Sequence, residues 1–326
     1  MSSRPISRRS FLAALGTVAV ARCVPTASTV SAEPRVPSEG RPGKVRFGIT
    51  AQQAVYDDVL RLWQEAEALG FDTAFVYDHF MAPAPGPPEA ERYLESWSLL
   101  SALAARTERL RIGVLVTAMS LRHAAILAKM AATVDHVSRG RLIIGLGAGW
   151  MEREHVAYGI PFLTKGKRAK RLVEAVEVMR RLFTQPRTTF EGRYFTLKDA
   201  PLEPKPVQGP QPPILIGGMG PKIVQPLAAR YAQTWHIGLG PNDPASIRRT
   251  FDVFDALCRK ANRDPREVER ATFVDPRLVQ SSGDDLRRQL EGLRDVGMGH
   301  FILLPPKGND ATVLRRFAKE IIPAFR

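Results

Sequence analysis

From Lys44 onward the chain alternates short runs rich in β-branched residues with longer stretches whose apolar residues recur every three or four positions. This alternation constrains the fold more than any other feature, because strand, helix and strand in succession build a parallel sheet through crossover connections. Strand-like runs fall at 45–50, 73–77, 110–117, 141–147, 213–217, 234–237, 271–279 and 301–304. In the first intervening stretch Val55, Val59, Leu62, Trp63, Ala66 and Leu69 share one helical face, and Gly70 supplies the stop. Leu172, Val176, Met179 and Phe183 repeat the pattern later, and further helices are expected at 97–106, 124–137, 221–232, 245–262, 284–296 and 312–322. The count is that of a single (β/α)8 TIM barrel. Two insertions break the rhythm: a proline-rich loop at 83–88, and a hairpin at 188–197 turning at Glu191-Gly192-Arg193. Both are candidates for insertion loops over the C-terminal face, although such composition also suits plain connectors.

With 44% apolar and 25% charged residues the chain can bury a full core. Its first segment belongs to a different class. Ser7-Arg8-Arg9-Ser10-Phe11-Leu12 precedes an apolar stretch at 13–21 that is too short to span a bilayer. Residues 1–32 are therefore expected to be a twin-arginine (Tat) signal peptide with Val30-Ser31-Ala32 at the cleavage site, 33–43 a linker, and 44–326 the barrel domain. The protein is expected to be exported already folded, with no stable membrane insertion once the leader is removed. Cys23 lies in the leader and Cys258 in a predicted helix, so the mature chain has no disulfide to form. The six histidines are scattered without metal-site spacing. A net charge of +14 favours anionic ligands, yet no run of five Lys or Arg and no nucleic-acid module is present, so a small-molecule substrate is expected rather than nucleic acid.

In such a barrel the residues that follow each strand converge on one face. Here they are Tyr77-Asp78-His79, Thr117, Gly147-Ala148-Gly149-Trp150, Gly217-Gly218-Met219-Gly220 and His236. Glycines let backbone N–H groups approach a ligand, and Gly217–Gly220 ahead of a helix starting at Pro221 is the preferred phosphate cradle. A glycine turn without any ligand reads the same way. His79 offers a titratable group near a reacting centre, whereas an Asp-His neighbour pair also occurs as a simple loop contact. His123 and His136 are expected to be structural or exposed.

These residues sit within longer matching stretches: Val76-Tyr77-Asp78-His79; Glu95-Ser96-Trp97 leading to Ala104-Ala105-Arg106-Thr107-Glu108-Arg109-Leu110-Arg111-Ile112-Gly113; Ser138-Arg139-Gly140-Arg141-Leu142 through Gly145-Leu146-Gly147-Ala148-Gly149-Trp150; and Pro204-Lys205-Pro206-Val207-Gln208 to Ile216-Gly217-Gly218. Together they resemble the luciferase-like monooxygenase superfamily, in the branch that uses the deazaflavin coenzyme F420. The resemblance runs from about Val45 to Trp235, with a looser tail to Phe325. It implies a luciferase-like TIM barrel in which Asp78 and His79 lie beside the deazaflavin ring, Thr117 contacts it, Gly147, Ala148 and Gly149 form its floor, and Gly217, Gly218, Met219 and Gly220 hold its phosphate. It also implies a bulge near Leu115-Val116 backing the ring, often with a non-prolyl cis peptide, and commonly a homodimer. His79 and Asp78 are then the catalytic candidates, Trp150 and His236 the substrate-pocket candidates, and hydride transfer to or from a small organic substrate the activity. Related sugar-phosphate dehydrogenases carry a tryptophan after the Asp-His pair and a glutamate after the fourth-strand glycines. This chain has Met81-Ala82-Pro83 and Trp150 there, which argues against glucose 6-phosphate. An FMN-dependent monooxygenase on the same barrel, or an exported coenzyme carrier without turnover, are the competing readings.

Overall fold

The computed structural model describes residues 44–326 except 90, 241–242 and 305–308. The expected twin-arginine leader and linker lie outside the described residues. The strands are β1 (Arg46–Thr50), β2 (Thr73–Val76), β3 (Arg111–Val114), β4 (Thr117–Ala118), β5 (Leu142–Gly147), β6 (Arg187–Glu191), β7 (Thr196–Pro201), β8 (Ile214–Gly217), β9 (Thr234–His236), β10 (Glu269–Val274) and β11 (His300–Leu303). The helices are α1 (Tyr56–Ala68), α2 (Ser96–Ala104), α3 (Ala124–Val137), α4 (Glu152–Ala157), α5 (Lys165–Thr184), α6 (Val224–Tyr231), α7 (Pro244–Lys260), α8 (Pro276–Val279), α9 (Gly283–Asp295) and α10 (Thr312–Glu320).

Nine strand segments pair in the order β3-β2-β1-β11-β10-β9-β8-β5-β4, and β3 also pairs with β5, which closes the ring. β3 and β4 are successive pieces of one barrel position, so this is an eight-stranded parallel (β/α)8 barrel. Strands buried on both faces read as continuous apolar runs, and that is why the sequence locates them. One face of each strand packs on the helices: Phe47 lies against Phe301, Phe317 and Phe325, and Trp235 stacks on Phe254 of α7 at 4.0 Å. The other face fills the barrel with Phe75, Leu115, Ile143, Leu215, Ala271 and Ile302, with Val116 and Phe273 partly open at the top.

At the N-terminal end of the barrel Glu269 receives Arg46 through both carboxylate oxygens and Thr234 Oγ1 at 3.1 Å, while His300 bonds Thr73 Oγ1 at 2.8 Å. Burial alone raises the Glu269 pKa, but Arg46 and His300 outweigh it and hold the carboxyl far below its ordinary range. This cluster closes the end of the barrel opposite the site.

Most strand and helix ends move by one or two residues from the sequence reading, and three differences have a clear physical form. The long third strand is interrupted at Leu115-Val116, whose peptide is cis, as the resemblance implied. The seventh stops at Val274, because Asp275 caps Arg277 N at 2.8 Å and Pro276 opens helix α8 at its first turn. Helix α6 starts at Val224 and not at Pro221, since residues 221–223 form a turn. Of the two insertions, the hairpin β6–β7 is held at its tip by Glu174 of α5, which accepts from Arg193 N and Tyr194 N at 3.0 and 2.8 Å. The proline-rich loop is tied to α4 instead: Arg153 donates to Ala82 O and to Glu91 Oε1, each at 2.6 Å.

Candidate active site

The C-terminal rim is built around Val116. An alanine Cβ at Gly147 would lie 2.5 Å from Val116 Cγ2, and one at Gly217 would lie 2.9 Å from Cγ1. Both positions must therefore be glycine for the valine to lie across the barrel mouth, where it forms an apolar ledge. Gly149 has φ +79°, and a Cβ there would meet Ser120 Oγ at 2.1 Å. Its carbonyl accepts from Arg168 Nε at 3.0 Å, which fixes the turn after β5. The glycines thus serve close packing first, and they leave the mouth open as a consequence.

Asp78 is 2% exposed and its oxygens are already engaged. They accept from Ser96 Oγ at 2.6 Å, Ala118 N at 2.8 Å and Arg122 Nη1 at 2.5 Å. Arg122 continues to Glu95, the residue that caps α2 through Trp97 N and Ser98 N. One carboxylate therefore joins the ends of β2, β4 and α2. Thr117 is fully buried, and its hydroxyl accepts from Trp97 Nε1 at 3.2 Å, so its side chain is turned toward α2.

His79 pairs with a different acid. Its Nδ1 lies 3.3 and 3.4 Å from the two oxygens of Glu154, a side chain only 1% exposed that also accepts from Phe80 N. With Nδ1 facing the carboxylate, Nε2 is the nitrogen left for other work. Trp150 stands edge-on to the His79 ring at 5.5 Å and is 62% exposed. Phe80 and Tyr158 pack at 4.9 Å beside them. Glu154, Arg122 and Ser96 were missed by the sequence reading. Glu154 lies in α4, four residues beyond Trp150, and carries no motif of its own.

The Gly217–Gly220 loop is bound to its surroundings by its own backbone. Gly218 donates to His236 O and accepts from Trp235 Nε1, while Gln225 donates to Met219 O and Gly220 O. The turn at 221–223 separates the glycines from the helix, so the loop and the α6 N-terminus do not form one continuous cradle. His236 closes β9 in register with Gly217, and its ring meets Phe273 edge-on at 4.5 Å. Burial, reinforced by the nearby His300, depresses its pKa to about 3. The remaining histidines have local partners: His123 caps α3 through Ala125 N, His136 bonds Lys205 O, and His155 bonds Met151 O. Among the described residues no group of His, Cys, Asp or Glu is arranged to hold a metal ion.

One rim thus gathers His79, Val116, Gly147, Trp150, Gly217 and His236: Ala118, bonded to Asp78, pairs with Gly147, and Val116 bridges to Gly217, which pairs with His236. Comparison with known proteins agrees with this architecture. The chain is 35% identical to an F420-dependent glucose-6-phosphate dehydrogenase of Intrasporangium calvum, over 87% of this chain and 99% of that protein. It is 31% identical to the protein of that description from Microbacterium testaceum, over 86% and 98%. Among solved structures, an F420-dependent secondary alcohol dehydrogenase in complex with an F420–acetone adduct superposes with a TM-score of 0.75 at 26% identity, covering 87% of this chain and 99% of that one. A model of the luciferase-like monooxygenase family matches residues 41–316, and the chain belongs to that family.

Proposed function

We propose that this protein is a coenzyme F420-dependent oxidoreductase that moves hydride between the deazaflavin and the carbinol or carbonyl carbon of a small organic substrate. The observation that carries the reading is the pairing of His79 with the buried carboxylate of Glu154 at the rim. The F420 dependence of the relatives supports it, and so does the fit of the mouth. A planar ring system needs an apolar support, which Val116 offers between two glycines, and polar groups at its edge, where His236 Nε2 and Ser120 Oγ are buried without protein partners.

Bound there, the coenzyme supplies two-electron hydride chemistry at a ring carbon. The protein supplies the proton path. His79 Nε2 takes the hydroxyl proton as hydride leaves the carbinol carbon, and Glu154 orients the ring and stabilises the imidazolium so formed. Carbonyl reduction runs the same path backward. Trp150 walls the substrate against the rim and keeps water from it. Asp78 is a positioning residue that holds the three strand and helix ends in place through Arg122, Ser96 and Ala118. The carboxylate that sugar-phosphate enzymes carry directly after the glycines is replaced by Trp150, so glucose 6-phosphate is not the proposed substrate.

Titration of the purified protein with F420 and with FMN, read by fluorescence, tests the coenzyme. F420 should saturate near one per chain and FMN should not; saturation by FMN alone overturns the reading. His79→Ala should then lower turnover by about 10²- to 10⁴-fold while F420 affinity stays nearly unchanged. We propose further that residues 1–32 direct export by the Tat route. Lysine at Arg8 and Arg9 should leave the precursor in the cytoplasm, and the exported protein should begin at Glu33. A homodimer is the proposed assembly, to be read by sedimentation.

A further inference from the structure

β9 alternates its side chains across the barrel wall. Trp235 faces outward onto Phe254, so Thr234 and His236 face the barrel interior, where Thr234 meets Glu269 and His236 meets Phe273. His236 is 4% exposed and lies at the last position of the strand, level with Gly217 on the rim. Gly238 N donates to its Nδ1 at 3.3 Å, which makes Nδ1 the acceptor nitrogen and places the ring proton on Nε2. That Nε2–H is buried and has no hydrogen-bond partner. A buried donor without an acceptor is rare in folded proteins unless something outside the chain completes it.

We infer that His236 Nε2–H is a preset hydrogen-bond donor to an oxygen atom of the molecule that fills the barrel mouth. The inference rests on the coenzyme reading above and adds to it a specific recognising atom. The neighbours explain why the group is suited to this task and not to proton transfer. Phe273 presents a ring edge to the imidazole, and Val116 and Gly217 make the adjoining surface apolar, so the ring stays neutral and its proton stays on Nε2. Such a donor favours an acceptor of either of two origins, a ring carbonyl of the coenzyme or the carbonyl oxygen of the substrate. It discriminates against molecules that present a C–H or N–H at that point, because the unpaired donor would then remain buried.

The test uses the whole mature chain labelled with ¹⁵N-histidine, with the Hε2 resonance of His236 assigned by its loss in His236→Asn. Asparagine keeps an acceptor near the position of Nδ1 for Gly238 N and removes the group at Nε2, whereas His236→Gln returns an amide donor near that place. Thermal melts of both variants confirm that they fold. If the acceptor is on the coenzyme, adding F420 alone should move the Hε2 resonance downfield, and His236→Asn should weaken F420 binding by about tenfold, with recovery in His236→Gln. If the acceptor is on the substrate, the resonance should move only when acetone is added to the F420 complex, and F420 affinity should not change in His236→Asn. A resonance unmoved in both arms, while fluorescence shows F420 bound, overturns the inference and leaves the coenzyme reading intact. Should F420 fail to bind at all, the coenzyme reading falls, and the same titration with FMN decides whether His236 retains its role.

Discussion

Replacing Gly147 with alanine would place a methyl carbon 2.5 Å from Val116 Cγ2. Non-bonded carbons settle at roughly 3.5–4.0 Å, so one of the two groups must shift by about 1 Å. Val116 has little freedom to give way. Valine is stiff at χ1, and its other methyl already points at the notch of Gly217, whose own Cβ position is 2.9 Å from Cγ1. Overpacking of this kind costs about 1–3 kcal/mol. For a domain of this size a kilocalorie corresponds to roughly 2 °C, so Gly147→Ala should melt about 2–5 °C below the wild type. Val116→Ala removes the opposing methyls; alone it should cost about 1 kcal/mol, and combined with Gly147→Ala it should restore much of the loss, leaving a coupling of about 1–2 kcal/mol between the sites. Thermal unfolding of the four proteins by circular dichroism measures this cycle, and F420 titration of the same samples shows whether the ledge matters for the coenzyme. A Gly147→Ala protein that melts with the wild type, or a double variant no better than the single, would refute the account of why those glycines are there.

Glu154→Gln keeps the shape beside His79 but removes the charge that steadies an imidazolium, and turnover should fall about 10- to 100-fold with F420 affinity maintained, measured by steady-state kinetics and fluorescence. Asp78→Asn removes the charge of one of the two carboxylates that face the Arg122 guanidinium and leaves Glu95 in place, and unfolding in urea should show a loss of about 1–3 kcal/mol. Stability should also fall in mild acid through His236: the unfolded ring binds a proton below about pH 6.5, whereas the folded one stays neutral down to about 3, so protons favour the unfolded chain as pH drops. Between pH 7 and 5 this single group removes about 2 kcal/mol, and urea titrations should show a shallower decline in His236→Asn; an unchanged slope would refute it.

Periodicity made the elements of the fold readable because it reports which face of each segment is buried. The stripe predicted for α1 is correct at Val59, Leu62, Trp63 and Ala66, all buried, and fades at Val55, which lies outside the helix and is 45% exposed. The end of β10 was misread although its signal was present: Asp275-Pro276 is a cap followed by a first-turn proline, and the apolar Leu278 and Val279 beyond it belong to a helix. The start of α6 was misread for the opposite reason, since Pro221 carries a helix-start signal that the chain spends on a turn.

Partnerships at the site follow a different logic, because they form only when the barrel closes. The acid adjacent to His79 in the chain is Asp78, and the natural reading couples the two. In the folded molecule the two neighbours, just beyond the end of β2, point to different partners, and Asp78 goes to Arg122, 44 positions on, while His79 finds Glu154, 75 positions on. Neither separation carries a period that a single sequence can display. The division has a physical benefit for the proposed chemistry. A carboxylate already engaged by a guanidinium, a hydroxyl and a backbone N–H is a firm tie between three element ends. A carboxylate facing an imidazole across 3.3 Å, with one backbone N–H as its other donor, can respond when that ring gains a proton. The rim therefore separates the task of holding its shape from the task of managing charge, and it assigns each to a different acid.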